Sequence, residues 1–89
     1  MKTSARGRKL IKDFEGFRSK AYRDPVGIWT IGYGFIEGVQ EGDTITKEDA
    51  ERRLIDKLDK YERGVMEATG GNVTQSQFDA LVSFAFNVG

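Results

Sequence analysis

Apolar side chains change their spacing along the chain, and each change marks an element. Leu10, Ile11 and Phe14 stand three and four positions apart and form a short stripe at helical period. They predict a helix from about Ala5 to Phe14. Ser4 is placed to cap its start, and Gly16 fits the left-handed position that ends many helices. The pattern then shifts to IWTIGYGF, rich in β-branched and aromatic residues, which reads as a strand. Leu54, Leu58, Tyr61 and Val65 return to helical spacing and predict one face of a long helix. Thr46 caps its start, Asp49 stands where a capping box places its acid, and Gly70-Gly71 ends it. Thr74-Gln75-Ser76-Gln77 is a second capping box and opens a last helix. Phe78, Leu81, Val82 and Ala85 are its expected inner stripe, with Phe84, Phe86 and Val88 covering much of the remaining surface.

Two consequences follow from sidedness. In the strand, Trp29, Ile31, Tyr33 and Phe35 are expected on the core side, and Thr30, Gly32 and Gly34 on a nearly bare opposite side. Glycines in a strand often mark close approach of a ligand or another backbone, so Gly32 and Gly34 are expected to floor a groove. A last helix apolar nearly all round asks to be covered on all sides. The pattern therefore predicts self-association through the Phe78–Val88 helix, a partner or further segment laid over it, or a helix folded back onto the core.

Length and composition narrow this to one small α+β domain of 89 residues. Fourteen basic and fourteen acidic side chains cancel, which gives no reason to expect nucleic acid or an anionic membrane as partner. The absence of cysteine excludes disulfides and thiolate metal sites, and the absence of histidine removes the commonest general base. Acid–base work falls to carboxylates, tyrosines or lysines. No apolar window suits a signal peptide or a membrane span, so the expectation is a cytoplasmic chain.

Candidate chemistry gathers in FEGFRSKAYRDPVGIWTIGYG, residues Phe14 to Gly34. Glu15 stands at a helix end, where unpaired carbonyls disfavour a carboxylate, and Phe14 and Phe17 flank it. Both effects favour the protonated carboxyl that a general acid for glycoside cleavage requires. An ordinary exposed helix-end glutamate fits the same spacing. Asp24-Pro25-Val26-Gly27 matches a type I turn, and Asp24 is explained by that turn alone or as a carboxylate held rigidly to place a water. Thr30 has a packing explanation too, as a β-branched strand residue. Gly32-Tyr33-Gly34 begins like a dinucleotide fingerprint, but Glu37 stands where the third glycine belongs.

Taken together, these residues resemble the catalytic signature of phage-type lysozymes, the endolysins of glycoside hydrolase family 24. That signature has Glu-Gly at a helix end, Asp nine positions on, and Thr six further in a Thr-Ile-Gly-x-Gly strand, matched by Glu15, Asp24 and Thr30. ITKEDAERRL is similar to the start of the family's interdomain helix, and QFDALVSFAFNVG to the first buried helix of its C-terminal lobe. The resemblance implies a lysozyme-like chain: a catalytic helix and small antiparallel sheet over 1–45, a connecting helix over 46–71, and the opening of a second lobe over 72–89. It implies cleavage of peptidoglycan between N-acetylmuramic acid and N-acetylglucosamine. Glu15 would be the general acid, and Asp24 and Thr30 would place and activate water. No metal or cofactor is implied, and the implied partner is peptidoglycan, reached after release from the cytoplasm. Phe35 replaces the histidine the family commonly carries after the second strand glycine. The alternative is a lysozyme-like fragment that binds glycan, or is purely structural, without cutting.

Overall fold

The computed structural model describes Met1–Gly89 as three helices and one antiparallel hairpin, an α+β chain. Ser4 accepts a hydrogen bond from the Gly7 amide at 3.1 Å and starts α1, Ala5–Glu15. The chain then runs into β1, Arg18–Arg23, and turns back through β2, Trp29–Gly32, in antiparallel register with Tyr22 opposite Thr30 and Arg23 opposite Trp29. An irregularity between Arg18 and Tyr22 breaks the regular pairing. The far edge of β1 is covered by the segment around Thr44, where the Ala21 amide reaches Asp43 and the Ile45 amide reaches Ser19, both at 2.9 Å. The long helix α2, Lys47–Thr69, starts at the Thr46 cap and ends at left-handed Gly70. The last helix α3, Gln75–Val88, opens with a complete Thr74–Gln77 capping box. No helix is long and apolar enough to cross a membrane.

A single core joins these elements. Ile11 from α1, Ile31, Tyr33 and Phe35 from the hairpin and its following turn, Leu54 and Leu58 from α2, and Phe78 and Val82 from α3 are all buried in it. Phe86 stacks edge-on against Tyr61, 5.5 Å between centroids, and extends the α2–α3 contact.

Several expectations need correction. Of the α1 stripe only Ile11 is buried, while Leu10 and Phe14 face outward. Asp49 does not close a capping box, because its carboxylate turns to Arg52 instead. The second strand stops at Gly32, whose φ of +66° leaves the extended region. A tight turn follows, with Ile31 and Phe35 exchanging backbone hydrogen bonds at 2.9 and 2.8 Å. This turn, rather than strand alternation, sends Tyr33 and Phe35 into the core. Trp29 stays half-buried beneath the Arg23 guanidinium, and Thr30, expected on a bare face, is buried. In α3, Leu81 lies outside the core, and Phe84 and Val88 are 67% and 70% exposed.

Candidate active site

The turn after β1 builds the first part of the site. The Gly27 amide bonds the Asp24 carbonyl at 2.9 Å, and the Asp24 amide bonds the Ile28 carbonyl at 2.9 Å. Gly27 has φ +87°, which closes this type I turn onto the second strand. The Asp24 carboxylate is part of the turn: Oδ1 accepts from the Val26 amide at 3.0 Å and the Ile28 amide at 2.8 Å. Both bonds fall on one oxygen, and Oδ2 accepts none within the chain.

Thr30 follows two residues beyond Ile28. Its Oγ1 donates to the Ile28 carbonyl at 3.0 Å. Ile28 therefore ties the two polar groups together, its amide held by Asp24 and its carbonyl by Thr30. With its proton committed to that carbonyl, the Thr30 hydroxyl oxygen is left to act as an acceptor.

Glu15 comes from a different element, as the last residue of α1. Its side chain is half-buried, and burial pushes its carboxyl above the usual glutamate range. The cover is not the one expected from sequence. Phe14 is exposed, whereas Gly34 lies so close that a Cβ there would stand 2.5 Å from Glu15 Oε1. Phe17 packs on Tyr33, 5.4 Å between ring centroids, and so braces the turn that carries Gly34.

The two strand glycines thus differ. Gly34 faces the acid. Gly32 is buried, and a Cβ on it would lie 2.8 Å from the Phe35 ring, so it faces the core and not a groove. Concavities of about 460 Å³ and about 600 Å³ occur beside the start of α2 and along α1, and neither is lined by Glu15, Asp24 or Thr30. No group of three or more acidic side chains converges in a way that would hold a metal ion.

A further set of polar residues escaped sequence reasoning. Glu62 on α2 and Asp79 on α3 are both buried, and both grip the residues before α1. Glu62 Oε2 accepts from the Thr3 amide at 2.8 Å and the Thr3 hydroxyl at 2.7 Å. Asp79 accepts from the Ser4 amide at 3.0 Å, from the Ser4 hydroxyl, and from Gln75 at 2.8 Å. Burial works to raise the Asp79 carboxyl, but the bonds from Ser4 and Gln75 outweigh it and hold it below the usual aspartate range. Gly7 makes the approach possible, since a Cβ there would lie 2.6 Å from Asp79 Cγ. The available signals were a glycine inside a helix and a carboxylate beside Phe78 in an apolar helix.

Comparison with known proteins agrees with this architecture. The sequence model of the phage lysozyme family matches residues 12–89. The endolysin of Bacillus phage B103 is 47% identical over 92 residues, covering all of this chain and 35% of that protein. Among solved structures, the endolysin from Escherichia coli O157:H7 phage FAHEc1 superposes with a TM-score of 0.93 at 44% identity, over 100% of this chain and 59% of that one. The muramidase domain of SpmX from Asticaccaulis excentricus superposes with a TM-score of 0.89 at 45% identity, over 99% of this chain and 60% of that one. The chain thus spans between about a third and three-fifths of the length of these relatives. With the family's sequence pattern running through α1, the hairpin, α2 and α3, the chain belongs to the phage lysozyme family.

Proposed function

We propose that this chain carries the catalytic face of a peptidoglycan hydrolase, a muramidase that cuts between N-acetylmuramic acid and N-acetylglucosamine. The observation that carries the reading is the contrast between two carboxyls. Glu15 is shielded and biased towards its protonated form, whereas Asp24 is locked by two backbone amides with Oδ2 left open. Two carboxyls in contrasting surroundings suit one acid and one base.

In this mechanism Glu15 gives its proton to the glycosidic oxygen as the bond to the anomeric carbon breaks. A water donates one hydrogen to Thr30 Oγ1 and the other to Asp24 Oδ2. Its oxygen attacks the anomeric carbon from the opposite face, and the released proton passes to Asp24. The course is inverting and asks for ~6.5–9.5 Å between the two carboxyls, enough to seat that water. One structural relative is a muramidase domain, which supports the choice of bond, and another is an endolysin, which supports wall lysis as the biological setting. Gly34 serves the reaction by letting the acid close against the hairpin.

The test is release of reducing ends from purified peptidoglycan, followed with a Glu15→Gln control. Cleavage by the wild-type chain, loss of it in the control, and inversion at the anomeric carbon by NMR are expected. Binding to the wall without any release of reducing ends would favour a glycan-binding role instead, a possibility raised by the lack of a closed cavity around the three residues.

A further inference from the structure

The turn that carries Gly34 is weakly held by its own bonds. Gly32 and Gly34 both stand at positive φ, +66° and +81°, where glycine keeps a freedom that other residues lack. Among backbone bonds, only the exchange between Ile31 and Phe35 opposes that freedom. Yet this turn closes against the half-buried carboxyl of Glu15.

The long helix α2 supplies what the turn lacks. Phe35 is fully buried, with the Arg53 guanidinium 4.8 Å and the Lys57 ammonium 5.9 Å from its ring centroid. Arg53 and Lys57 stand four residues apart, so one face of the helix covers the ring. Lys57 also forms an ion pair with Oε1 of Glu37. Oε2 of the same carboxylate accepts from the Ile36 amide at 3.1 Å. One carboxylate thus joins the backbone at the exit of the turn to α2. The pair stays charged wherever Glu15 titrates, because the Lys57 bond, chiefly, pulls the Glu37 carboxyl down to about 2. Glu37 lines the concavity beside the start of α2 with Asp43, Asp49, Arg52, Arg53 and Asp56, and Glu15 does not. The displacement of Glu15 owes to burial alone, with no contribution from a neighbouring charge. An influence of the pair on the acid must therefore pass through the turn.

We propose that Lys57 and Glu37 are positioning residues: their ion pair fastens the Gly32–Glu37 turn to α2 and so keeps Gly34 seated against the carboxyl of Glu15. The inference rests on Glu15 being the acid of the proposed cleavage. Neither residue is bonded to Glu15, Asp24 or Thr30. Without the pair the turn lifts, water reaches Oε1, and the carboxyl loses the cover that keeps it protonated. The sign separates this route from a through-space one. Loss of a nearby cation favours the neutral carboxyl, whereas loss of cover favours the ionised one.

The experiment is a titration of the Glu15 side chain by carboxyl-carbon NMR, its signal assigned by its absence in Glu15→Gln. Wild type is compared with Lys57→Gln, Lys57→Arg, Glu37→Gln and Arg52→Gln, and reducing ends released from peptidoglycan are measured across the same pH range. In Lys57→Gln and Glu37→Gln the Glu15 midpoint should move down towards the ordinary 4.5. The alkaline limb of the cleavage profile should move with it, and kcat at neutral pH should fall by the factor lost from the protonated fraction while KM holds. Lys57→Arg keeps the ion pair and should restore the midpoint. Arg52→Gln removes the same charge from α2, along with its pairing to Asp49, and should match wild type. Melting temperatures should change little, since exposed ion pairs contribute little stability. The proposal is overturned by an unmoved or raised midpoint in Lys57→Gln, by Lys57→Arg behaving as Lys57→Gln, or by an equal shift in Arg52→Gln. If no protein releases reducing ends while the midpoint shifts as expected, the muramidase reading fails and the hold of Lys57 and Glu37 on Glu15 stands.

Discussion

Gly34 touches the carboxyl of Glu15, and no other residue type fits between them: a Cβ would stand 2.5 Å from Oε1 on a backbone with φ +81°. Gly38 supplies the matching control, with φ +70° and nothing within 4 Å of its would-be Cβ. Both Gly→Ala changes carry the left-handed penalty, roughly 1–2 kcal/mol, or several degrees in Tm for a domain of this size. Only Gly34→Ala also displaces the acid. Measured side by side, the two variants should lose similar stability, while glycan cleavage drops sharply in Gly34→Ala alone.

The burial of Glu15 has a signed pH consequence. Its folded pKa lies above the ordinary value of 4.5, so the protonated form favours the fold. That contribution is complete below 4.5 and is lost as pH rises through the folded value. Glu15→Gln should therefore melt higher than wild type at neutral pH, and the advantage should fade in acid. Thermal melts of both proteins across the range from pH 3 to pH 7 check the sign, and an advantage that grows in acid contradicts it.

Asp24 holds the turn with Oδ1 and leaves Oδ2 open, so two substitutions separate structure from chemistry. Asp24→Asn retains a carbonyl oxygen for the Val26 and Ile28 amides and should keep near wild-type Tm while losing turnover. Asp24→Ala removes the acceptor as well and should cost a further ~1 kcal/mol or more. Matched melting curves and rates for the pair give the answer. Equal stability losses would mean that the turn does not depend on the carboxylate.

The grip on the N-terminus predicts effects far from the candidate site. Asp79→Ala leaves the Ser4 hydroxyl and amide without their buried partner and should cost ~1–3 kcal/mol. Because the folded Asp79 carboxyl sits below its ordinary 3.8, its contribution is present above 3.8 and is lost as pH falls through the folded value. The stability gap between wild type and Asp79→Asn should close on strong acidification. Gly7→Ala should also destabilise, although alanine is the better helix former, because its Cβ overlaps Asp79 and Thr3.

Local signals carried much of this fold. The caps at Ser4, Thr46 and Thr74 read correctly because each is settled by a few neighbouring residues. The Leu54–Leu58–Val65 face read correctly because a long periodic helix has one way to bury it. Phe14 misled because its spacing suits a stripe, while the direction of the core is set by α2 and α3, which lie far along the chain. Tyr33 and Phe35 were assigned to the core for the wrong reason: a two-residue period cannot foresee a turn at Gly32. In the candidate site, the positions of Glu15, Asp24 and Thr30 were legible as a spacing. The link through Ile28 was not, since a backbone amide and carbonyl leave no mark on residue identity.

The grip of Glu62 and Asp79 on Thr3 and Ser4 also sets an order of assembly. These bonds close loops of 59 and 75 residues, whereas the hairpin that bears Asp24 and Thr30 is wholly local. Local pairing forms early and long loops close late. On a growing chain the Glu62 bonds to Thr3 can close first, and the Asp79 bonds to Ser4 only once the last helix has been made. The far end of the first helix bears Glu15. The hairpin that bears Asp24 and Thr30 is therefore expected to pair before this tether closes on the helix that ends in the acid.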